Sequence, residues 1–370
     1  MPVKILCDGC EVEYRLSAAN GNESLFLLQS EDGSEVIVEV PLALDNSFSD
    51  KNFETHFLCK RDIKESDIFQ VYLKDHDKRV GWIIPINALS SSLHDYAENE
   101  HFLKYAFIAI RESLRHLNGL IFSNAVDSSD GRINFADIFH DFTAILIISR
   151  ETLSEDVQFD IHRSTPSLIR YGYVQLGLTN PDRLMLIKDS PDSEKLKIEQ
   201  ISQSLNSEEL ISGILNNSFS VEASPVFKFF LLYQLFELLI EEVYRVEQTA
   251  IVDELILVKG DSGKMKEGLE KLRECLSEKS RLGLLLQKYA QPGVSLSELS
   301  RHCNSLLKNL GKEEAESFQN YFYRVRNFVF HQYRDFPDTE SSSLENIVDE
   351  LLEILPGILA RFDVSGSNKL

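Results

Sequence analysis

Tyr321-Phe-Tyr-Arg-Val-Arg-Asn-Phe-Val-Phe-His-Gln-Tyr-Arg-Asp335 is an apolar run studded with cations, and its reading decides the C-terminal half of the chain. On a helix, Arg326 and His331 stand five residues apart, about 500° of rotation, so they lie roughly 140° apart on the wheel. Asn327 lies about 40° from His331, on the same side. Phe328, Val329 and Phe330 supply a stripe for burial. A cation that does not titrate, an imidazole that does, and an amide form a compact set for handling a phosphate ester. The plainer reading is a salt-bridged arginine and a histidine at the edge of a core.

Outward from this stretch the pattern is helical. Ser224-Pro225 is a start signal, with Ser as N-cap and Pro at the first helical position. Pro225–Glu247, Lys264–Ser277, Lys279–Tyr289, Ser295–Asn309, Lys312–Tyr333 and Ser343–Phe362 then read as helices. Short connections between them predict an all-α bundle over residues 224–365.

Towards the N-terminus the period changes to that of strands. Runs such as Val3–Leu6, Glu11–Leu16, Ser24–Gln29, Glu35–Val40, Phe53–Cys59, Ile68–Leu73 and Val80–Ile84 are separated by turn formers such as Asp32-Gly33 and Asp45-Asn46. His101–Leu117 has a helical stripe through Leu103, Phe107, Ile110 and Leu114, and Phe142–Ser149 reads as a buried strand. Val157–His162, Leu168–Gly177 and Arg183–Lys188 read as further strands. The expected fold is α+β multidomain. A β-rich sensing or binding region covers 1–190, with a subdivision near 91. An acidic polar linker follows at 191–223, and the helical bundle closes the chain at 224–365.

With 370 residues, 43% of them hydrophobic, the chain can bury substantial cores. A net charge of −21 disfavours general coating of nucleic acid, so a nucleic-acid enzyme would need a local positive cleft. Arg324, Arg326, His331 and Arg334, opposed by Asp335 alone, make such a patch. Five scattered cysteines do not suit a disulfide framework, and Met1–Leu6 runs into Cys7-Asp-Gly-Cys10 rather than an apolar export signal. A cytoplasmic setting without membrane contact is expected. Cys7 and Cys10 with His56 and Cys59 have zinc-compatible spacing within each pair but a long gap between pairs. Free thiols on strands are the favoured reading, and no metal or cofactor is expected. Asp137, His140 and Asp141, like Asp160, His162 and Arg163, lack a clean ligand or triad spacing. Glu237, Glu241 and Glu242 read as a solvated helix face, with Glu237 or Tyr233 available to orient a site on a neighbouring helix. No Walker loop, G-x-G-x-x-G, H-E-x-x-H or G-x-S-x-G occurs.

Arg326-Asn-Phe-Val-Phe-His331, late in a helical region, resembles the HEPN superfamily (higher eukaryotes and prokaryotes nucleotide-binding domain). Its signature is Arg, four to six residues, then His, commonly with a polar residue directly after the Arg. The resemblance covers 225–363 and leaves 1–190 untouched. It implies a metal-independent endoribonuclease, the effector of a toxin–antitoxin or antiviral defence system, with RNA (tRNA or mRNA) as substrate. In it, His331 transfers protons, Arg326 holds the phosphate and Asn327 orients. A homodimer formed through the bundle would bring two such sets to one cleft. The N-terminal region would exert control, with an antitoxin or phage-derived trigger as partner. His331-Gln-Tyr333 extends the likeness to toxins whose Tyr is modified by a nucleotidyltransferase antitoxin, although Tyr333 reads better as a helix-end packing residue. The competing class is a catalytically inactive HEPN-like dimerisation or scaffolding protein.

Overall fold

Strand β9 (Thr143–Ser149) is buried at every position, which requires cover on both faces. In the computed structural model it is a central strand of a six-stranded sheet with order β10-β5-β9-β7-β6-β11. The strands are β5 (Phe53–Cys59), β6 (Phe69–Leu73), β7 (Arg79–Pro85), β9, β10 (Val174–Gln175) and β11 (Lys195–Ile198). All pairs are antiparallel except β11 on β6. The structure describes residues 3–7, 10–20, 25–44, 50–74, 78–115, 131–153, 158–175, 181–291, 293, 295–331 and 336–364.

A second sheet has order β1-β2-β3-β4-β8. It comprises β1 (Val3–Cys7), β2 (Cys10–Asn20), β3 (Leu25–Ser30), β4 (Glu35–Glu39) and β8 (Arg132–Asn134). Helices α1 (Ile86–Leu89) and α2 (Glu100–Arg115) complete this unit. One core joins Phe26, Leu28 and Val38 of the smaller sheet, Phe102, Phe107 and Ile110 of α2, and Trp82, Ile145 and Ile147 of the larger sheet. Gly81 of β7 is required by close approach, since a Cβ there would meet the Ile147 carbonyl oxygen at 1.9 Å.

The chain divides into two units: residues 1–161 with 171–198, and residues 162–170 with 199–370. The second unit is helical, so the α+β architecture, β-rich first and helical after, is as the sequence reads. It takes in nearly all of α3 (Ile161–Arg170), whose two ends fall in the expected strands Val157–His162 and Leu168–Gly177. Ser164, Thr165, Pro166 and Ser167 lower the intrinsic helix preference there, but tertiary bonds override it. The Ser167 hydroxyl donates to the Glu199 carbonyl and accepts from the Glu199 N–H, both at 2.9 Å, and Gln200 Nε2 donates to Ser164 Oγ at 3.1 Å. The expected linker at 191–223 is folded too. It contributes β11, then α4 (Glu208–Gly213), a π turn at Ile214–Ser218, and the buried residues Ile201, Leu205, Ile211, Leu215 and Phe219.

The bundle is built on α5 (Pro225–Leu257), 33 residues and so about 50 Å long. It continues with α6 (Ser262–Cys275), α7 (Glu278–Leu284) running into a π turn at Leu285–Tyr289, α8 (Ser297–Asn309), α9 (Phe318–His331) and α10 (Ser341–Arg361). Helix α10 packs on α5 and α8, and α9 packs on α8 and α7. Phe229, Phe236, Phe318 and Phe322 interlock where α9 meets α5. Among the described residues no helix is long and apolar enough to cross a membrane.

Candidate active site

Helix α9 buries Phe318, Tyr321, Phe322, Val325 and Val329, which fixes its rotation. Arg326 is thereby set on the flank facing α5 and α7, while Asn327 and His331 fall on the outer side, as the helical wheel requires. The length of the arginine closes the angular gap. Its Nη1 lies 3.1 Å from Asn327 Oδ1 and 3.5 Å from His331 Nε2. The three residues singled out in the sequence are brought together, with His331 exposed and Asn327 partly buried.

The guanidinium is held from the other side as well. Its Nη2 stands 3.6 Å from Glu237 of α5 and its Nε 3.6 Å from Glu278 at the start of α7. At 3.6 Å the Nε makes an ion pair but no hydrogen bond. The group also lies over the rings of Phe330 (4.7 Å) and Tyr233 (5.3 Å). Tyr233 donates its hydroxyl proton to Glu278. Burial first, and then the Glu278 carboxylate, push that hydroxyl far above its ordinary range, so it stays protonated. Arg326 is therefore clamped along its Nε–Nη2 edge and offers its Nη1 edge to Asn327 and His331.

His331 and Asn327 open onto a groove of about 630 Å³ lined also by Leu307, Gly311, Lys312, Glu313, Tyr323, Arg324 and Phe328. Its far wall follows from a helix cap. Gly311, at φ +69°, ends α8, with its N–H on the Lys308 carbonyl and the Lys312 N–H on the Leu307 carbonyl. The next residues are fixed to both neighbouring helices. Asn304 exchanges two hydrogen bonds with Ala315 (2.8 and 3.0 Å), and Arg324 Nη1 donates to the Glu313 carbonyl at 2.7 Å.

Glu237, read as part of a solvated face with the option of orienting a site on a neighbouring helix, is 45% exposed and faces Arg326. Glu278 and Lys312 were missed; Glu278 looks in sequence like an ordinary first-turn acid after the Ser277 cap. Tyr333 and Arg334 lie outside the described residues. The other constellations stay apart. His56 and Cys59, three residues apart on β5, point to opposite faces of the sheet and do not form half of a four-ligand site. His56 Nε2 instead lies 2.8 Å from Glu54, and burial raises the Cys59 thiol to about 12. The side chains of Cys7 and Cys10 lie outside the described residues. His140 pairs with Asp182 at 3.1 Å and His162 meets the buried Ser212 at 3.2 Å, in different units. Among the described residues no group of three or more His, Cys, Asp or Glu is placed to hold a metal ion. No family model, no curated protein and no solved structure matches the chain.

Proposed function

We propose that the helical unit is a metal-independent endoribonuclease of HEPN type. The observation that carries this reading is the Arg326 guanidinium reaching both Asn327 and His331 at the rim of a groove with cationic walls. In the reaction, His331 removes the proton from a ribose 2′-hydroxyl, and the 2′-oxygen attacks the adjacent phosphorus. The P–O5′ bond breaks, and the leaving 5′-oxygen takes a proton from a second acid. The products are a 2′,3′-cyclic phosphate and a 5′-hydroxyl. A dimer in which two copies of α9 face one cleft supplies the second histidine. Arg326 stabilises the charge that develops on the phosphoryl oxygens, and Asn327 orients its neighbour. The N-terminal unit would govern when RNA is cut, in a toxin or antiviral defence setting inside the cytoplasm.

A second reading has an observation of its own. Two carboxylates already compensate Arg326, which suits a HEPN-like bundle that only dimerises or binds. The two readings part in one experiment. The purified protein is incubated with tRNA and structured RNA in EDTA beside His331→Ala and Arg326→Ala. Cleavage by wild type that falls by at least 10²-fold in each variant supports the nuclease. Equal cleavage by all three would sink the residue assignment, and cleavage by none favours the scaffold.

A further inference from the structure

We propose that the groove beside His331 is a nucleotide subsite, in which Lys312 and Arg324 hold the phosphate and Tyr323 and Phe328 flank the base. The identity of the bound strand as RNA rests on the ribonuclease reading; the anion-binding chemistry does not. Four observations converge on it. The groove, about 630 Å³, falls in the range of small-molecule sites. It carries two cations against one acid, Glu313, in a chain of net charge −21, so it is a local exception to the field of the molecule.

Its cations are also available. Among the described residues Lys312 has no ion pair, and Arg324 gives hydrogen bonds from Nη1 alone, to the carbonyls of Glu313 and Glu314. Those bonds lock the arginine in place and leave its Nε and Nη2 donors for a phosphate, in the fork geometry that suits one. Arg326 is in the opposite state, with Nε and Nη2 turned to Glu278 and Glu237. The division of labour follows: Arg326 acts on the His331 side, and Lys312 with Arg324 bind the strand beyond it. The aromatic pair supplies the stacking surfaces that a base requires, and Asn327 and His331 line the same groove.

The test uses the full chain and a fluorescent oligonucleotide in which every 2′-hydroxyl is methylated, so that binding is read without cleavage. Anisotropy titrations are run at several salt concentrations. Lys312→Glu is expected to weaken binding about tenfold or more, and Lys312→Ala to lower the slope of log K against log salt by about one. Glu313→Gln is expected to tighten binding, an opposite sign that a merely misfolded variant does not give. The inference is overturned if Lys312→Glu and Glu313→Gln bind as wild type does, or if wild type fails to bind at low salt. Parallel assays on unmodified RNA keep the two proposals separate. Groove-dependent binding without cleavage removes the nuclease and leaves the subsite. Cleavage that is lost in His331→Ala but indifferent to Lys312→Glu does the reverse.

Discussion

At the scale of single residues the arginine of the motif is more constrained than its sequence suggests. It must satisfy Glu237, Glu278, Asn327 and His331 while sitting against the rings of Phe330 and Tyr233, a task for a planar fork rather than a point charge. On the ribonuclease proposal, Arg326→Lys is therefore expected to behave almost as badly as Arg326→Ala, with kcat on RNA reduced about 10² or more and a smaller change in KM. A lysine variant with near-native kcat would show that charge alone suffices. A second residue-scale prediction concerns Glu54 of the N-terminal unit. Its hydrogen bond with His56 holds the carboxyl below its ordinary range against the opposing effect of burial. A depressed carboxyl stabilises the folded chain in full above the unfolded value, near 4.3, and loses that contribution as pH falls through its folded value. Melting temperature followed from about pH 6 to pH 3 should thus fall less steeply in Glu54→Gln than in wild type. Parallel curves would remove Glu54 as a source of acid sensitivity.

At the scale of elements the two kinds of core fail differently. Phe322 is fully buried among Phe229, Tyr233, Phe236 and Phe318, so Phe322→Ala should cost about 3–5 kcal/mol in chemical denaturation and loosen α9 against α5. Gly81→Ala instead drives a methyl into the backbone of β9, which cannot yield as a flexible side chain would. It is expected to destabilise the sheet while leaving the helical signal of the bundle in place by circular dichroism. The elements with a strong internal pattern were readable in advance. The unbroken apolar run of β9, the stripe of α2 and the Ser224-Pro225 start of α5 each state their structure locally. Helix α3 does not, because its serines and threonine find their partners at Glu199, Gln200 and Ser212, more than thirty residues away. The same holds for the site. Arg326, Asn327 and His331 share one short segment and could be found by spacing. Glu278 and Lys312 reach it from α7 and from the turn after α8, where no spacing rule connects them to α9.

At the scale of the whole molecule charge is the dominant fact. A body of −21 attracts a polyanion only through a confined patch, so on the proposed subsite RNA affinity should fall with salt with a slope set by few contacts, about one to three. A slope near that of a broad basic surface would mean that the strand lies elsewhere than in the groove beside His331. Another whole-molecule property comes from the path of the chain, which passes between its two units three times, near 161, 170 and 198. On the ribosome this path sets an order of events. The β-rich unit has all of its described strands once Ile198 has emerged, whereas α3, made earlier, must wait for Glu199, Ser212 and the helices that follow. The half that carries His331 is thus the last to be finished, and each newly made chain holds its N-terminal unit before the groove beside His331 can exist.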